Sequence, residues 1–373
     1  MVTRKPKLIA FYLPQFHPIP ENDAWWGKGF TDWTNVKAAT PLFHGHDQPK
    51  VPHPGLGYYD PRNVDVLEHQ AELAKRHGIH GFCFYHYWFD GKLLLEKPVE
   101  NFLAAAKPDL PFCLCWANEP WTRAWDGRER DVLMPQKYGG IEDWEKHFNY
   151  LLPAFRDPRA IRVEGKPVFL IYRIGSITNV NEMIKTWRRL AEQAGLPGLH
   201  IVAMLTIFSD SGDFKGVDID ATCEFYPTFA TKPKGTDFVW GAFKMGLHLR
   251  VLKRYTPLFK KKVVQVSYDY IWKRIMAMPK LFPIQYRGAF VSWDNTPRKA
   301  QKGYVMKHCG PERYGHWLKR QLRRVAKDAH QEPLVFVNAW NEWAEGAYLE
   351  PDVKHGFKYL EATQSALQTY SLD

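Results

Sequence analysis

The chain is predicted to fold as a single (β/α)8 TIM barrel over residues 1–373, an α/β architecture with long βα loops and a helical basic insert at 230–285 after strand six. Three observations predict it. Eight short apolar runs alternate with longer amphipathic stretches, and parallel neighbours need crossovers of roughly a dozen residues or more. The 373 residues suit a barrel with insertions, because such barrels commonly pass about 250 residues as one unit. No Gly-x-Gly-x-x-Gly or Gly-x-x-x-x-Gly-Lys-Ser/Thr loop follows strand one, which argues against an open doubly wound sheet.

Strand one is expected at 8–13. An aromatic, proline-rich connection leads to a helix at 64–77, where Val64, Leu67, Ala71 and Ala74 share one stripe and Gly78 ends it. Strand two follows at 81–85, a helix at 99–107, strand three at 111–116, a helix at 143–155 and strand four at 167–172. The alternation continues with a helix at 181–194, strand five at 200–205 and strand six at 219–225. After the insert and a helix at 267–277 come strand seven at 288–293, a helix at 312–330, strand eight at 334–339 and a last helix at 357–369. Helical sequence is expected after every strand.

Composition narrows the function classes. The 45% hydrophobic and 24% charged residues describe an ordinary enzyme core and surface, not a disordered chain. The aromatic fraction, 15% with 15 Trp and 18 Tyr, is high. Flat amphipathic rings cover the C–H faces of sugars, and they also fill cores; both uses stay open for any single ring. Five cysteines, an odd number and scattered, do not form a disulfide framework, and four of them sit in or near strands as small buried groups. No apolar run approaches the roughly 20 residues that span a bilayer, and residues 1–8 lack the apolar stretch of a signal peptide. A cytoplasmic protein is expected, in peripheral contact with a membrane at most.

The net charge of +11 is uneven, with nine basic residues against one acid between Ala230 and Lys262. Phe238, Trp240, Phe243 and Leu247 are interspersed with them, so residues 230–262 read either as a basic amphipathic segment on an anionic membrane or lipid-linked glycan, or as a solvated helical face. Nucleic acid is not an expected partner, since no recognised binding module is present.

In a barrel of this kind the active site lies at the C-terminal ends of the strands. Strand one delivers Tyr12 and His17 there, strand two His86, Tyr87 and Trp88, and strand three Asn118, Glu119 and Trp121. Strand four adds Tyr172 and Arg173, strand six Glu224 and Tyr226, strand seven Trp293 and Asp294, and strand eight Trp340, Asn341, Glu342 and Glu345. Hydrogen-bonding side chains interleaved with rings suit a polyhydroxylated substrate. Glu342 and Glu345, three apart on a helical turn, would have Cβ atoms about 5–6 Å apart, near the roughly 5–5.5 Å carboxyl separation of retaining glycosidases. The alternative is a helix N-terminus whose acids complement the dipole. Glu119 is either a further acid or a structural partner of Arg123. His44, His46 and Asp47 are expected to form a loop without metal, and neither metal nor organic cofactor is expected elsewhere. A serine nucleophile elbow, Gly-x-Ser-x-Gly, is absent.

Four segments carry a family resemblance: Tyr12-Leu13-Pro14-Gln15-Phe16-His17-Pro18, Gly81-Phe82-Cys83-Phe84-Tyr85-His86-Tyr87-Trp88, Trp116-Ala117-Asn118-Glu119, and Trp340-Asn341-Glu342-Trp343-Ala344-Glu345-Gly346. Together, and in this order, they resemble the glycoside hydrolase family 99-like proteins, particularly the WbsX group, over nearly the whole chain. The resemblance implies a retaining hydrolase with an endo-α-mannosidase-like site. Glu342 would remove a proton from the substrate's own 2-hydroxyl, which attacks the anomeric carbon to give a 1,2-anhydro sugar, while Glu345 protonates the leaving group and later activates water. WbsX-like proteins are often encoded with surface-polysaccharide assembly genes. That keeps open a glycosyltransferase or transglycosidase of O-antigen, lipopolysaccharide or capsule assembly, and a carbohydrate-binding protein without catalysis is the third reading.

Overall fold

The structure is a computed structural model, and it describes residues 5–105, 107–123, 128–209, 211–231, 263–328 and 332–371, with the side chains of 128–130 and 211 left aside. Most of the expected insert, and with it the candidate membrane contact at 230–262 beyond Thr231, lies outside the described residues.

Among the described residues eight parallel strands close on themselves: β1 (Lys7–Tyr12), β2 (Ile79–Phe89), β3 (Phe112–Trp116), β4 (Lys166–Ile171), β5 (His200–Leu205), β6 (Ala221–Glu224), β7 (Gln285–Phe290) and β8 (Leu334–Asn338). Each pairs with the next, and β1 also pairs with β8, so the sheet has no open edge along its main path. All eight expected strands are present, and the architecture is the (β/α)8 barrel.

Helices α3 (Val64–Arg76), α4 (Lys97–Ala104), α5 (Ile141–Arg156), α6 (Val180–Gln193), α7 (Tyr268–Ala277), α8 (Pro311–Ala326) and α9 (Lys358–Thr369) occupy the expected positions, preceded by α1 (Pro20–Trp26) and α2 (Asp32–Ala38) in the long first connection. Helix α3 starts at Asn63, whose side chain accepts the Asp65 N–H. One connection departs from expectation. Between β5 and β6 the described residues form only a 3-10 turn, Ser211–Phe214, because Ser209, Ser211, Gly212, Asp213 and Gly216 favour turns over a helix.

The core has two layers. Inside the barrel, Phe11, Cys83, Cys115, Leu170, Met204, Cys223 and Phe336 fill the axis. Between strands and helices, Phe84, Phe112, Phe169, Trp187, Trp272 and Leu318 form the second layer. The interior layer accounts for four of the five cysteines, all free thiols.

β2 runs on past residue 85 to Phe89 and folds back through Asp90 and Gly91, both at positive φ, to pair with Lys92–Leu94. This extension keeps the period of two, which sends Tyr87 inward and His86 and Trp88 outward.

β2 also approaches β3 closely at Gly81, where a Cβ would stand 2.4 Å from the Pro111 carbonyl oxygen. The Gly81→Ala variant is expected to lose about 1–3 kcal/mol of stability through forced strand separation. Urea unfolding monitored by circular dichroism should show a lower midpoint at unchanged slope.

Candidate active site

Beyond β8 the chain makes a short antiparallel pair, Asn341–Glu342 with Ala347–Tyr348, and Trp343–Glu345 between them forms a 3-10 turn where an α-helical turn was expected. Glu342 caps the start of this turn and Glu345 ends it, and both carboxylates reach the same guanidinium. Gly346 follows at φ 61°, and a Cβ there would lie 3.0 Å from the Cβ of Asp294. Only glycine lets this turn rest against the end of β7, where the Asp294 N–H donates to the Glu345 carbonyl at 2.7 Å.

Arg298 joins the two acids. It sits in the helical turn Thr296–Lys299 after β7, its side chain 10% exposed, with Nη2 3.0 Å from Glu342 Oε1 and Nη1 3.2 Å from Glu345 Oε1. The same guanidinium holds Asp32, the first residue of α2, through Nη2 to Oδ2 and through Nε to Oδ1 at 3.3 Å. Gln15 bridges the group, its Nε2 donating to Asp32 Oδ2 at 2.6 Å and to Glu342 Oε2 at 3.3 Å. Burial pushes the Glu342 carboxyl well above the usual carboxylate range; Arg298 pulls it back, and Glu345 and Asp32 add to the rise. Glu345 is raised too, by burial first, with Arg298 opposing and Asp32 reinforcing. Burial works against the charge on Arg298, but its three carboxylates outweigh that and hold it protonated. Three carboxylates against one guanidinium leave this group of residues an excess of negative charge, which favours retention of a proton on the acid pair.

Rings surround the cluster. Tyr87 feels the charges of Glu342 and Glu119, Tyr172 those of Glu119 and Glu345, and Tyr304 that of Glu345; burial first, then these charges, hold all three phenols in the neutral form. Trp121 meets Tyr87 edge-on at 5.2 Å and Trp25 of α1 at 6.0 Å, extending the aromatic wall. A separate surface pocket of about 580 Å³, lined by Trp33, Tyr58 and Tyr59, does not include the carboxylates among its lining residues.

The segment after β3 repeats the design of the segment after β8. Asn118 accepts the Arg173 N–H at 2.7 Å and donates to the Arg173 carbonyl at 2.9 Å, while Asn341 accepts the Leu13 N–H at 2.8 Å and donates to the Leu13 carbonyl at 3.0 Å. Each asparagine thus pairs with a neighbouring main chain as a strand residue would, and a glutamate follows it. Glu119 pairs with Arg173 at 3.5 Å, whereas Arg123 lies over the Trp26 ring at 5.3 Å. Burial raises Glu119, against the pull of Arg173. Arg173 in turn covers the exposed ring of Phe208 at 4.4 Å.

Other expected site residues have their side chains engaged elsewhere. His86 points into the layer under α5, its Nε2 2.8 Å from His147 Nε2, and Trp88 stacks on the same His147 ring. Tyr12 donates to Gln70 at 2.8 Å, and Tyr226 packs against Phe229 and Met278. Glu224 is buried in the wall, accepting from Arg287 and Gln285 at 2.6 Å each and from the Gly288 N–H at 3.1 Å. Trp340 lies in the outer core layer against Phe82. Trp293 is buried there too, stacked on Tyr304. His17 is buried beside the Pro14 carbonyl, and burial lowers it to about 4. Asp294 has both oxygens taken: Oδ2 by His46 at 2.9 Å and Gln48 at 2.7 Å, Oδ1 by Thr296. It pins the 42–48 loop to the rim, and this is where His46 is used. Sequence reasoning missed Arg298, Asp32, Gln15 and Tyr304; Gln15 lay in a quoted strand-end segment, and Arg298 follows Trp293-Asp294-Asn295 by three residues.

Behind the turn lies a further buried acid. Glu350 accepts from Tyr59 at 2.9 Å, Gln70 at 2.6 Å and the Trp343 indole at 2.7 Å, and Asn341 donates to the Tyr59 hydroxyl at 3.0 Å. Burial raises Glu350 to about 7 despite these donors. The folded protein therefore holds this proton between roughly pH 4.3 and 7 while the unfolded chain does not, so stability falls as pH rises through that window, by roughly 4 kcal/mol, and levels off above it. Glu350→Gln is expected to flatten that part of a plot of unfolding free energy against pH; an unchanged plot would refute the assignment.

Comparison with known proteins gives the family and the fold. The family described as Glycosyltransferase WbsX matches residues 8–363. The relative described as "Uncharacterized protein WxcX" from Xanthomonas campestris pv. campestris strain ATCC 33913 is 40% identical over 365 residues, covering 96% of this chain and 49% of the relative; its counterpart in strain B100 is also 40% identical, over 374 residues. The chain thus spans about half the length of the curated relatives it matches. In fold it is similar to a solved "Glycoside hydrolase-like protein" (TM-score 0.59, 14% identity, 98% of this chain and 95% of that one). It is likewise similar to the GH99 endo-alpha-mannosidase from Bacteriodes thetaiotaomicron in complex with BIS-TRIS-Propane (TM-score 0.56, 13% identity, 97% and 96%). With the four motif segments on one closed barrel and the family match running through all of them, the chain belongs to the WbsX family.

Proposed function

We propose that the protein is a retaining glycoside hydrolase acting on an oligosaccharide or polysaccharide, with Glu342 and Glu345 as its catalytic carboxylates. The observation that carries this reading is the pair itself: two acids at the two ends of a 3-10 turn, clasped by one buried guanidinium, at the C-terminal mouth of the barrel. Glu342, its side chain 6% exposed, is held by donors from Arg298 and Gln15; Glu345, 24% exposed, has one of them. Burial raises Glu342 further than Glu345, but two N–H donors aimed at Glu342 favour its charged form, and the shared proton then rests on Glu345. That division suits the chemistry. A fixed, ionised Glu342 would take the proton of the sugar's 2-hydroxyl as its oxygen attacks the anomeric carbon, and the more accessible Glu345 would protonate the departing oxygen. In the second step Glu345 takes a proton from the water that opens the 1,2-anhydro ring, and Glu342 returns its proton to O2. Tyr87, Trp121, Tyr172, Glu119 and Arg173 would line the sugar, with no metal or organic cofactor called on.

A second reading rests on the description of the WbsX family as glycosyltransferases: the same acid pair could pass the glycosyl group to an acceptor hydroxyl in surface-polysaccharide assembly. Incubation with defined mannose- and rhamnose-containing oligosaccharides, with and without a nucleotide sugar, separates hydrolysis from transfer. Glu342→Gln and Glu345→Gln are each expected to lower turnover at least about a hundredfold while glycan binding persists. Wild-type turnover should also fall as pH rises through the raised Glu345 value. Unimpaired turnover in both variants would remove the acid pair from the mechanism, and glycan binding without turnover in the wild type would favour a binding protein.

A further inference from the structure

Away from the rim, α7 and α8 form one flank. They run side by side: Trp272 and Trp317 stack at 6.0 Å, Trp317 donates to Asp269 at 2.8 Å, and Arg324 reaches the Ile275 carbonyl at 3.0 Å and that of Met278. Residues 264–281 and 311–328 carry nine basic side chains against three acids, two of which, Asp269 and Asp328, are already paired with Arg313 and Lys280. A groove of about 520 Å³ opens between the helices, lined by His316, Lys319, Arg320, Arg323, Arg324 and Lys327 with Met276, and with no acid among them. Charge is thus concentrated on a surface of the folded barrel as well as in the 230–262 segment.

The flank also exposes apolar side chains. Val264, Tyr270 and Leu281 are 49%, 53% and 48% exposed, and all three belong to the stretch that leads into α7, forms it and leaves it. Arg274 lies near the Tyr270 ring at 5.9 Å, and Arg320 covers Trp317 at 5.2 Å. Long basic side chains beside exposed rings and aliphatic groups are the chemistry of a surface resting at the headgroup level of an anionic bilayer. A polyanion in water would use the charges but would gain little from Val264 and Leu281. We propose that the α7–α8 flank is a docking surface for an anionic membrane, on which the barrel lies on its side with the site at the strand ends open to a substrate at the same surface.

The test is flotation of the full chain with vesicles of phosphatidylcholine alone or containing phosphatidylglycerol, over a range of salt. Binding is expected only with the anionic lipid and should weaken as salt rises. Lys273, Arg320 and Lys327 are exposed, and among the described residues none of their side chains donates a hydrogen bond to the backbone, so Lys273→Glu, Arg320→Glu and Lys327→Glu combined should leave thermal unfolding unchanged. Reversing three charges lowers the net charge of the surface by six and should weaken vesicle binding by at least about a hundredfold. The separate pair Tyr270→Ser and Leu281→Ser should weaken it with the charges intact. Absence of wild-type binding at low salt, or undiminished binding by the folded triple variant, overturns the proposal. So does equally tight binding of a double-stranded DNA fragment at the same salt, which would make the flank a nucleic-acid surface.

Discussion

The rim of this barrel depends on one guanidinium. Arg298 arrives from the turn after β7 and meets carboxylates from α2 and from the turn after β8, so three chain segments far apart in sequence are tied at a single planar group. Taking that many charges out of water is unfavourable unless they compensate one another, and loss of the arginine would leave buried like charges facing each other. The contact also explains why the first connection is ordered around α2. Asp32 is drawn in by the arginine, and Trp33 beside it packs on Phe16 and Trp343, so the charge contact and the aromatic contact orient the same short helix.

What could be read from the sequence divides along a physical line. Every barrel strand was legible because buried parallel strands are short apolar runs with turn residues at their ends. The direction of individual side chains at the strand ends was not. The sequence alone points all the polar and aromatic residues there toward the site, but the period of two persists through the last residues of a strand, and His86, Trp88, Tyr12 and Glu224 fall on the outward set. The Asp90-Gly91 turn that prolongs β2 was a local signal that could have fixed this alternation in advance. Arg298 and Asp32 had no comparable signal: 266 residues separate them, and only closure of the barrel makes them neighbours.

The aromatic excess resolves in the same way. Trp116, Trp187, Trp272, Trp340 and Trp343 are fully buried, and the His86–His147 contact is stacked between Trp88 and Tyr150 with Trp116 edge-on to it. Much of the unusual composition therefore serves the layer between strands and helices. The rings near the carboxylates, Tyr87, Trp121, Tyr172 and Tyr304, are a minority of the total, and composition by itself could not have distinguished the two groups.

The two asparagines that pair with a neighbouring main chain have an evolutionary consequence. Asn118 and Asn341 each use an amide side chain to imitate a strand, so the glutamate that follows is located by the backbone of the adjacent stave instead of by the loops around it. Backbone atoms are common to all residue types. Loops at the mouth of such a barrel can therefore change in sequence and length while Glu119 and Glu342 keep their coordinates.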